Sequence, residues 1–279
     1  MYNSFVNINL KNLVSNYKYI YNQSKNVNVL GVVKANAYGH GLEQVAKTLD
    51  QQGIYGLGVA TANEIRSLID LNLKAQIIHL GSLHQNDYSL LKHDNVVCTI
   101  HSIEEFNNIL NYVTTNNLQV KAHIKIDTGM HRLGVLEENI KLLIEKIINN
   151  NQITIEGLYT HFSSAIENVD IVYKQFDKFE LIKKIFIEKI KTIKYFHAAN
   201  SATILKHQKI KLNVIRPGIT LYGISPFKKI ENHLKPVMSF FAPVVLIKTI
   251  RKGMFIGYSQ AYEAKKDMRI AIIQAGYAD

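Results

Sequence analysis

Val32-Val33-Lys34-Ala35-Asn36-Ala37-Tyr38-Gly39-His40-Gly41 is the stretch on which the fold of this chain is decided. Just before it, the apolar and β-branched run from Val27 to Val33 is bounded by turn formers and predicts a buried strand. That strand delivers Lys34 at its end. Gly39 and Gly41 then open a helix expected from near Leu42. A lysine at the C-terminal end of a buried strand is poorly hydrated, so its amine is expected to lose its proton more readily and to become a better nucleophile. Lysines that bind carbonyl groups covalently need that environment. A lysine snorkelling from a strand end has the same local sequence, and spacing alone leaves both readings open.

Outward from this stretch the chain alternates strand and helix. Leu10 to Ser24 carries apolar residues at helical spacing. Strands are predicted at 27–34, 56–61, 75–81, 96–100, 120–127, 154–161, 195–200 and 212–216. Helical periodicity fills most gaps, as at 103–113, 139–148 and 172–190. Eight strand–helix units in about 200 residues point to an α/β fold, a (β/α)8 barrel of the TIM type. A doubly wound open sheet is the alternative, but the first turn lacks that fold's Gly-x-Gly-x-x-Gly loop. Past Tyr222 the rhythm changes. Pro226 and Pro236 bracket a lysine-rich linker, and the strand-like runs 243–250, 254–258 and 268–277 follow without helices. The expected division is therefore a barrel over 1–225 and the beginning of an all-β domain over 226–279, with the first ten or so residues candidates to pack on the β domain.

Composition narrows the function classes. The chain has 279 residues and 47% hydrophobic content, ample for a large core, and no apolar run reaches the length of a membrane span. Cys98 is the single cysteine, which fits a reducing cytoplasm, and it lies in an apolar strand where it reads as core. The net charge of +11 is spread over many helices among Glu, Asp and Asn. A nucleic-acid binder concentrates its basic residues on one face or in one run, so no nucleic-acid partner is expected. A diffuse positive field favours anionic small molecules.

In barrels of this kind the working residues come from the C-terminal ends of strands. Those ends supply Lys34 and Tyr38, then Lys125 and Arg132, His161, Asn200 with Ser201, and Arg216 with Gly218 and Ile219. A lone histidine or loop arginine usually has a packing role. Several polar groups converging on one rim are harder to explain that way, because buried charge is costly unless paired. Loops after the seventh and eighth strands are a common phosphate cradle, to which Ser201 offers a hydroxyl and Gly218 and Ile219 offer N–H groups. No metal-ligand cluster stands out.

The segments 32–41, 125–135 (Lys-Ile-Asp-Thr-Gly-Met-His-Arg-Leu-Gly-Val), 156–161, 200–201, 216–223, 257–262 and 276–279 resemble, in order and spacing, the motifs of the alanine racemase family. The resemblance implies a pyridoxal 5'-phosphate barrel followed by a β domain, a head-to-tail homodimer, and a two-base interconversion of L- and D-alanine that supplies D-alanine for peptidoglycan. It implies Lys34 as the covalent cofactor lysine and the base on the D isomer, with Tyr258 of the other subunit as the base on the L isomer. Tyr38, Ser201, Gly218 and Ile219 would hold the phosphate. Arg216 would face the ring nitrogen and join a Tyr258–His161–Arg216 chain. Arg132 would take the substrate carboxylate, beside Lys125 as a lysine open to carbamylation. Family members continue past Asp279, so the chain is expected to be an N-terminal fragment. The alternatives are a non-catalytic pyridoxal-phosphate barrel, disfavoured by Tyr258 in its motif, and a related racemase or decarboxylase for a larger amino acid.

Overall fold

Strands buried on both faces of a parallel sheet carry apolar residues continuously rather than alternately, and Gly56–Val59 and Val96–Ile100 are buried at every position. The computed structural model describes residues 3–25, 27–207, 210, 212–227 and 233–277. Ala278 and Asp279, which end the last motif, lie outside the described residues, as do Lys209, Lys211, Lys228 and Lys229 of the lysine-rich stretches. Two compact units are present, one of residues 10–237 and one of residues 1–9 with 238–279.

The larger unit is a closed barrel of eight parallel strands, and the open-sheet alternative falls away. In chain order these are β2 (Asn28–Val32), β3 (Gly56–Val59), β4 (Gln76–His79), β5 (Val96–Ile100), β6 (Val120–Lys125), β7 (Ile153–Tyr159), β8 (Tyr195–Asn200) and β9 (Val214–Arg216), with β9 pairing back onto β2. Leu30, Ile78, Val97 and Val214, from four different strands, pack together in the core. The helices are α1 (Leu10–Gln23), α2 (Leu42–Asp50), α3 (Ala62–Ile69), α4 (Ile103–Thr115), α5 (Ile140–Ile148), α6 (Val169–Lys189) and α7 (Ser201–Lys206). Their starts follow capping chemistry. Thr61 and Glu64 form a reciprocal capping box on α3, and the Ser102 side chain accepts the Glu105 N–H on α4. Two connections depart from a strict strand–helix alternation. A 3₁₀ stretch, Gln85–Lys92, replaces the helix between β4 and β5, and a 3₁₀ turn, Ile219–Tyr222, follows β9.

Helix α1 packs against that last turn, and a single buried side chain fastens the joint. Asn16 Nδ2 donates to the carbonyls of Leu221 (2.9 Å) and Lys235 (2.8 Å), while its Oδ1 accepts the Lys235 N–H (2.8 Å). The asparagine therefore satisfies three backbone groups that the chain's own secondary structure leaves over.

In the smaller unit β1 (Phe5–Ile8) pairs antiparallel with β10 (Met238–Phe241), and β11 (Val244–Ile250) with β14 (Met268–Ile273). The run expected as a strand over 254–258 is one only at β12 (Phe255–Ile256), which pairs with β13 (Tyr262–Glu263). Gly257 takes a φ of 81° and Ser259 and Gln260 are also left-handed, so the chain turns away and Tyr258 opens a 3₁₀ turn instead of ending a strand.

Asn16→Leu is expected to lower the unfolding free energy of the chain by about 3 kcal/mol, since it strands several buried backbone groups. Chemical denaturation measures this, and a loss below about 1 kcal/mol would mean that something else fastens the joint.

Candidate active site

The segment that carries Lys34 out of β2 has an unusual backbone. Ala35, Asn36, Ala37 and Tyr38 all have φ between 52° and 54°. A left-handed turn built from side-chain-bearing residues costs roughly 1–2 kcal/mol per residue, so it persists only where its surroundings impose it. Glu64 Oε1 accepts the Ala35 N–H at 2.6 Å. Asn36 closes the far side, its Oδ1 accepting from Leu42 N at 2.8 Å and its carbonyl from Gly41 N at 3.1 Å. The rings of Tyr38 and His40 both rest on Tyr222, at 5.0 and 4.4 Å between centroids. Tyr222 itself is fixed by donating its hydroxyl to the Val32 carbonyl at 3.1 Å. Sequence reading had Gly39 and Gly41 open the helix near Leu42 and missed this segment.

Lys34, Tyr38, Lys125, Arg132, His161, Ser201, Arg216, Gly218 and Ile219 all line one cavity of about 640 Å³ at the C-terminal end of the barrel. Lys34 is half-buried, more exposed than a strand-end lysine was expected to be. Ser201 Oγ accepts the Gly218 N–H at 2.9 Å and pairs with Thr220 Oγ1 at 3.0 Å, so hydroxyl and amide form one linked corner. A Cβ on Gly218 would lie 2.7 Å from the Tyr38 hydroxyl, so any larger residue would displace that phenol from the corner. Tyr258 belongs to the smaller unit and is 89% exposed.

Positive charge dominates the lining. Lys34, Lys125, Arg132 and Arg216 face the cavity with Glu167 as the one carboxylate among the described lining residues. Arg216 is buried, and burial brings its pKa down to about 10. Its Nη1 lies 2.8 Å from His197 Nδ1, and its Nη2 donates to the carbonyls of Thr160 (2.7 Å) and Ala198 (3.2 Å) and approaches His161 Nδ1 at 3.4 Å. The Tyr159 ring stacks on His197 and lies 5.2 Å under the guanidinium. Burial, then the charge of Arg216, pushes His161 down to about 3, so its ring is neutral at working pH. Lys125 is lowered to about 8, by burial first and then by Arg132 and Arg216. Asp127 offsets the charge on Lys125 only in part. Burial opposes its ionisation, but three N–H groups, from Gly129, Met130 and His131, hold its carboxyl below the usual range and occupy one oxygen.

A lysine amine, a hydroxyl–amide corner and a buried arginine fit a planar anionic carbonyl compound that an amine can capture. Among the described residues no group of three metal-ligating side chains occurs. Sequence reading missed Tyr159 and His197. Tyr159 closes β7 two positions before His161, and His197 lies inside β8, where only its polarity within a buried run could have marked it. Cys98 sits in β5, fully buried, its thiol pushed up to about 12 by burial.

Two family models match the chain, "Alanine racemase, N-terminal domain" over residues 8–226 and "Alanine racemase, C-terminal domain" over residues 237–279. An alanine racemase of Halothermothrix orenii is 36% identical over 261 residues, covering 91% of this chain and 68% of that protein. One of Methanococcus maripaludis is 36% identical over 276 residues, covering 97% and 73%. Among solved structures, an alanine racemase of Clostridium difficile 630 superposes with a TM-score of 0.87 at 30% identity, over 100% of this chain and 74% of that one. The Bacillus anthracis alanine racemase with bound L-Ala-P gives 0.85 at 30%, with the same coverage.

The folded chain holds Lys125 more weakly protonated than the unfolded chain does, so the unfolded state binds the extra proton and stability rises with pH. The penalty is fully present below about 8 and is relieved as pH approaches the ordinary lysine value of 10.5. Lys125→Met in cofactor-free protein should therefore be more stable than the parent at pH 7, with the gap closing by pH 10.5. Denaturation at the two pH values tests this, and a gap independent of pH would contradict it.

Proposed function

The chain belongs to the alanine racemase family, and we propose that its barrel cavity holds pyridoxal phosphate and interconverts L- and D-alanine. The observation that carries this is the convergence of Lys34, the Ser201–Gly218 corner and buried Arg216 on one cavity whose lining is short of negative charge. A phosphate and a substrate carboxylate would supply what is missing. When bound, the cofactor supplies an electron-withdrawing ring that acidifies the α-proton of an amino acid attached to it.

The chain's own residues would do the rest. Lys34 would hold the cofactor covalently, and Tyr38, Ser201, Gly218 and Ile219 would bind its phosphate. Every hydrogen bond described for Arg216 uses Nη1 or Nη2, which leaves Nε to face the ring nitrogen. A cation there keeps that nitrogen unprotonated and weakens the ring as an electron sink, which disfavours transamination. Arg132 would take the alanine carboxylate. Lys125, with its pKa brought down to about 8, is suited to carbamylation, in which the neutral amine adds carbon dioxide and releases a proton, and this would turn a repelling cation into an anion that orients Arg132.

Racemisation removes a proton from one face of the α-carbon and returns one to the other, so two bases are needed. Lys34 would serve the D isomer, and Tyr258 of a second subunit in a head-to-tail homodimer the L isomer. His161 fits between Tyr258 and Arg216. Its Nδ1 faces an arginine that can only donate, so in the neutral ring the proton is on Nε2 and can be offered to a tyrosine oxygen. That donor would help a phenol of pKa about 10 to act as a base. The product would serve peptidoglycan synthesis in the cytoplasm.

Exchange of the α-proton in deuterated water tests the assignment. Tyr258→Phe should slow exchange from L-alanine about 10²–10⁴-fold and spare exchange from D-alanine, while Lys34→Ala should abolish racemisation. Equal loss from both isomers in Tyr258→Phe would contradict the two-base site. Cofactor binding without exchange from either isomer of alanine in the parent would favour a carrier or a different substrate.

A further inference from the structure

Arg216 is held by more than its immediate neighbours. His197 Nε2 lies 3.0 Å from Nδ1 of His123, a residue of β6 two positions before Lys125. His123 and His197 are fully buried and Arg216 nearly so. The three come from β6, β8 and β9, and the strand between the first two gives way to let them meet. Gly157 of β7 is the register partner of His123, and a Cβ on it would lie 2.5–2.6 Å from three atoms of the His123 ring. The glycine is the opening through which His123 reaches across β7 to His197.

The order of protons along this chain is fixed by valence. A guanidinium has donors and no acceptor, so His197 Nδ1 must present its lone pair to Arg216 Nη1. Neutral His197 then carries its proton on Nε2 and donates it to His123 Nδ1. His123 carries its own proton on Nε2, and that atom is buried with no partner among the described residues. A core built only for packing would place an apolar side chain here and avoid the orphan. The orphan makes sense if the acceptor at Nδ1 is what the position is for. Without it, the Nε2 proton that Arg216 imposes on His197 would lack its acceptor, and the ring would lose what holds it square to Arg216.

We infer that His123 is a positioning residue for the cofactor site: by accepting the Nε2 proton of His197 it fixes that ring's orientation and so holds Arg216 Nη1 in place. This deepens the proposed function, resting on Arg216 facing the cofactor ring, but the hydrogen bond itself is a property of the chain alone. Two substitutions separate acceptor from shape. In His123→Asn, Oδ1 stands the same number of bonds from the backbone as Nδ1 did and keeps the acceptor. His123→Leu fills the space without one.

The test is ¹⁵N NMR of the histidine rings in the full chain, without cofactor and with pyridoxal phosphate added, together with a binding titration. The parent and His123→Asn should show His197 protonated on Nε2 in both states. His123→Leu should keep the proton on Nε2 but lose that proton's hydrogen-bonded chemical shift, and bind pyridoxal phosphate about tenfold more weakly, the equivalent of one hydrogen bond. The bound cofactor's absorbance should change in His123→Leu and return to that of the parent in His123→Asn. His197 protonated on Nδ1 in the parent overturns the inference with no variant needed, as does an unchanged His197 in folded His123→Leu, or His123→Asn behaving as His123→Leu. If no form of the chain binds pyridoxal phosphate, the proposed function fails, while the hydrogen-bonded shift of His197 Nε2–H still decides the role of His123.

Discussion

Crowded positive charge at one end of the barrel is the constraint on which the rest of the structure depends. Lys34, Lys125, Arg132 and Arg216 share one cavity with a single carboxylate among its described lining residues. Like charges this close raise one another's cost, and burial adds to it. The molecule responds by removing protons where it can. Lys125 falls to about 8, and His161 and His197 are kept neutral beside Arg216. Arg216 cannot give up its charge at working pH, so it is wrapped in carbonyls and an imidazole lone pair. An apolar core would not need such an arrangement. A site that takes anions does, because a bound phosphate or carboxylate would offset the repulsion among these cations.

The barrel makes this tolerable by distributing the load. The four cations come from three strand ends, with Lys34 just past β2, Lys125 closing β6 with Arg132 in the loop after it, and Arg216 closing β9. The left-handed turn after Lys34 belongs to the same economy. Its strain is fixed from outside by Glu64 of α3 and by Tyr222, itself anchored to β2. Lys34 therefore leaves its strand on a rigid segment, which suits a residue that must meet a reacting carbon with little reorganisation.

Much of this was legible in the sequence, for identifiable reasons. Parallel barrel strands are buried on both faces, so runs such as 96–100 announce themselves, and amphipathic helices with Ser or Thr caps do the same. The rim residues were legible because strand ends are where such barrels keep their chemistry. The left-handed turn was not, since its causes lie in residues as distant as Glu64 and Tyr222. The partnership of His123, His197 and Gly157 was hidden for the same reason. Two histidines within apolar strands look like packing until the glycine between them is seen to open the path. Tyr258 was placed in a strand because its neighbours are β-formers, whereas Gly257 turns the chain just before it.

The account as a whole rests on Lys34 being the amine that captures the cofactor in a site of crowded cations. Borohydride reduction of the chain mixed with pyridoxal phosphate, followed by proteolysis and mass spectrometry, addresses that directly. The account predicts one modified peptide carrying the cofactor on Lys34, with Lys125 unmodified although burial brings its amine down to about 8. Cofactor found chiefly on Lys125, or scattered over the surface lysines with Lys34 bare, would contradict it.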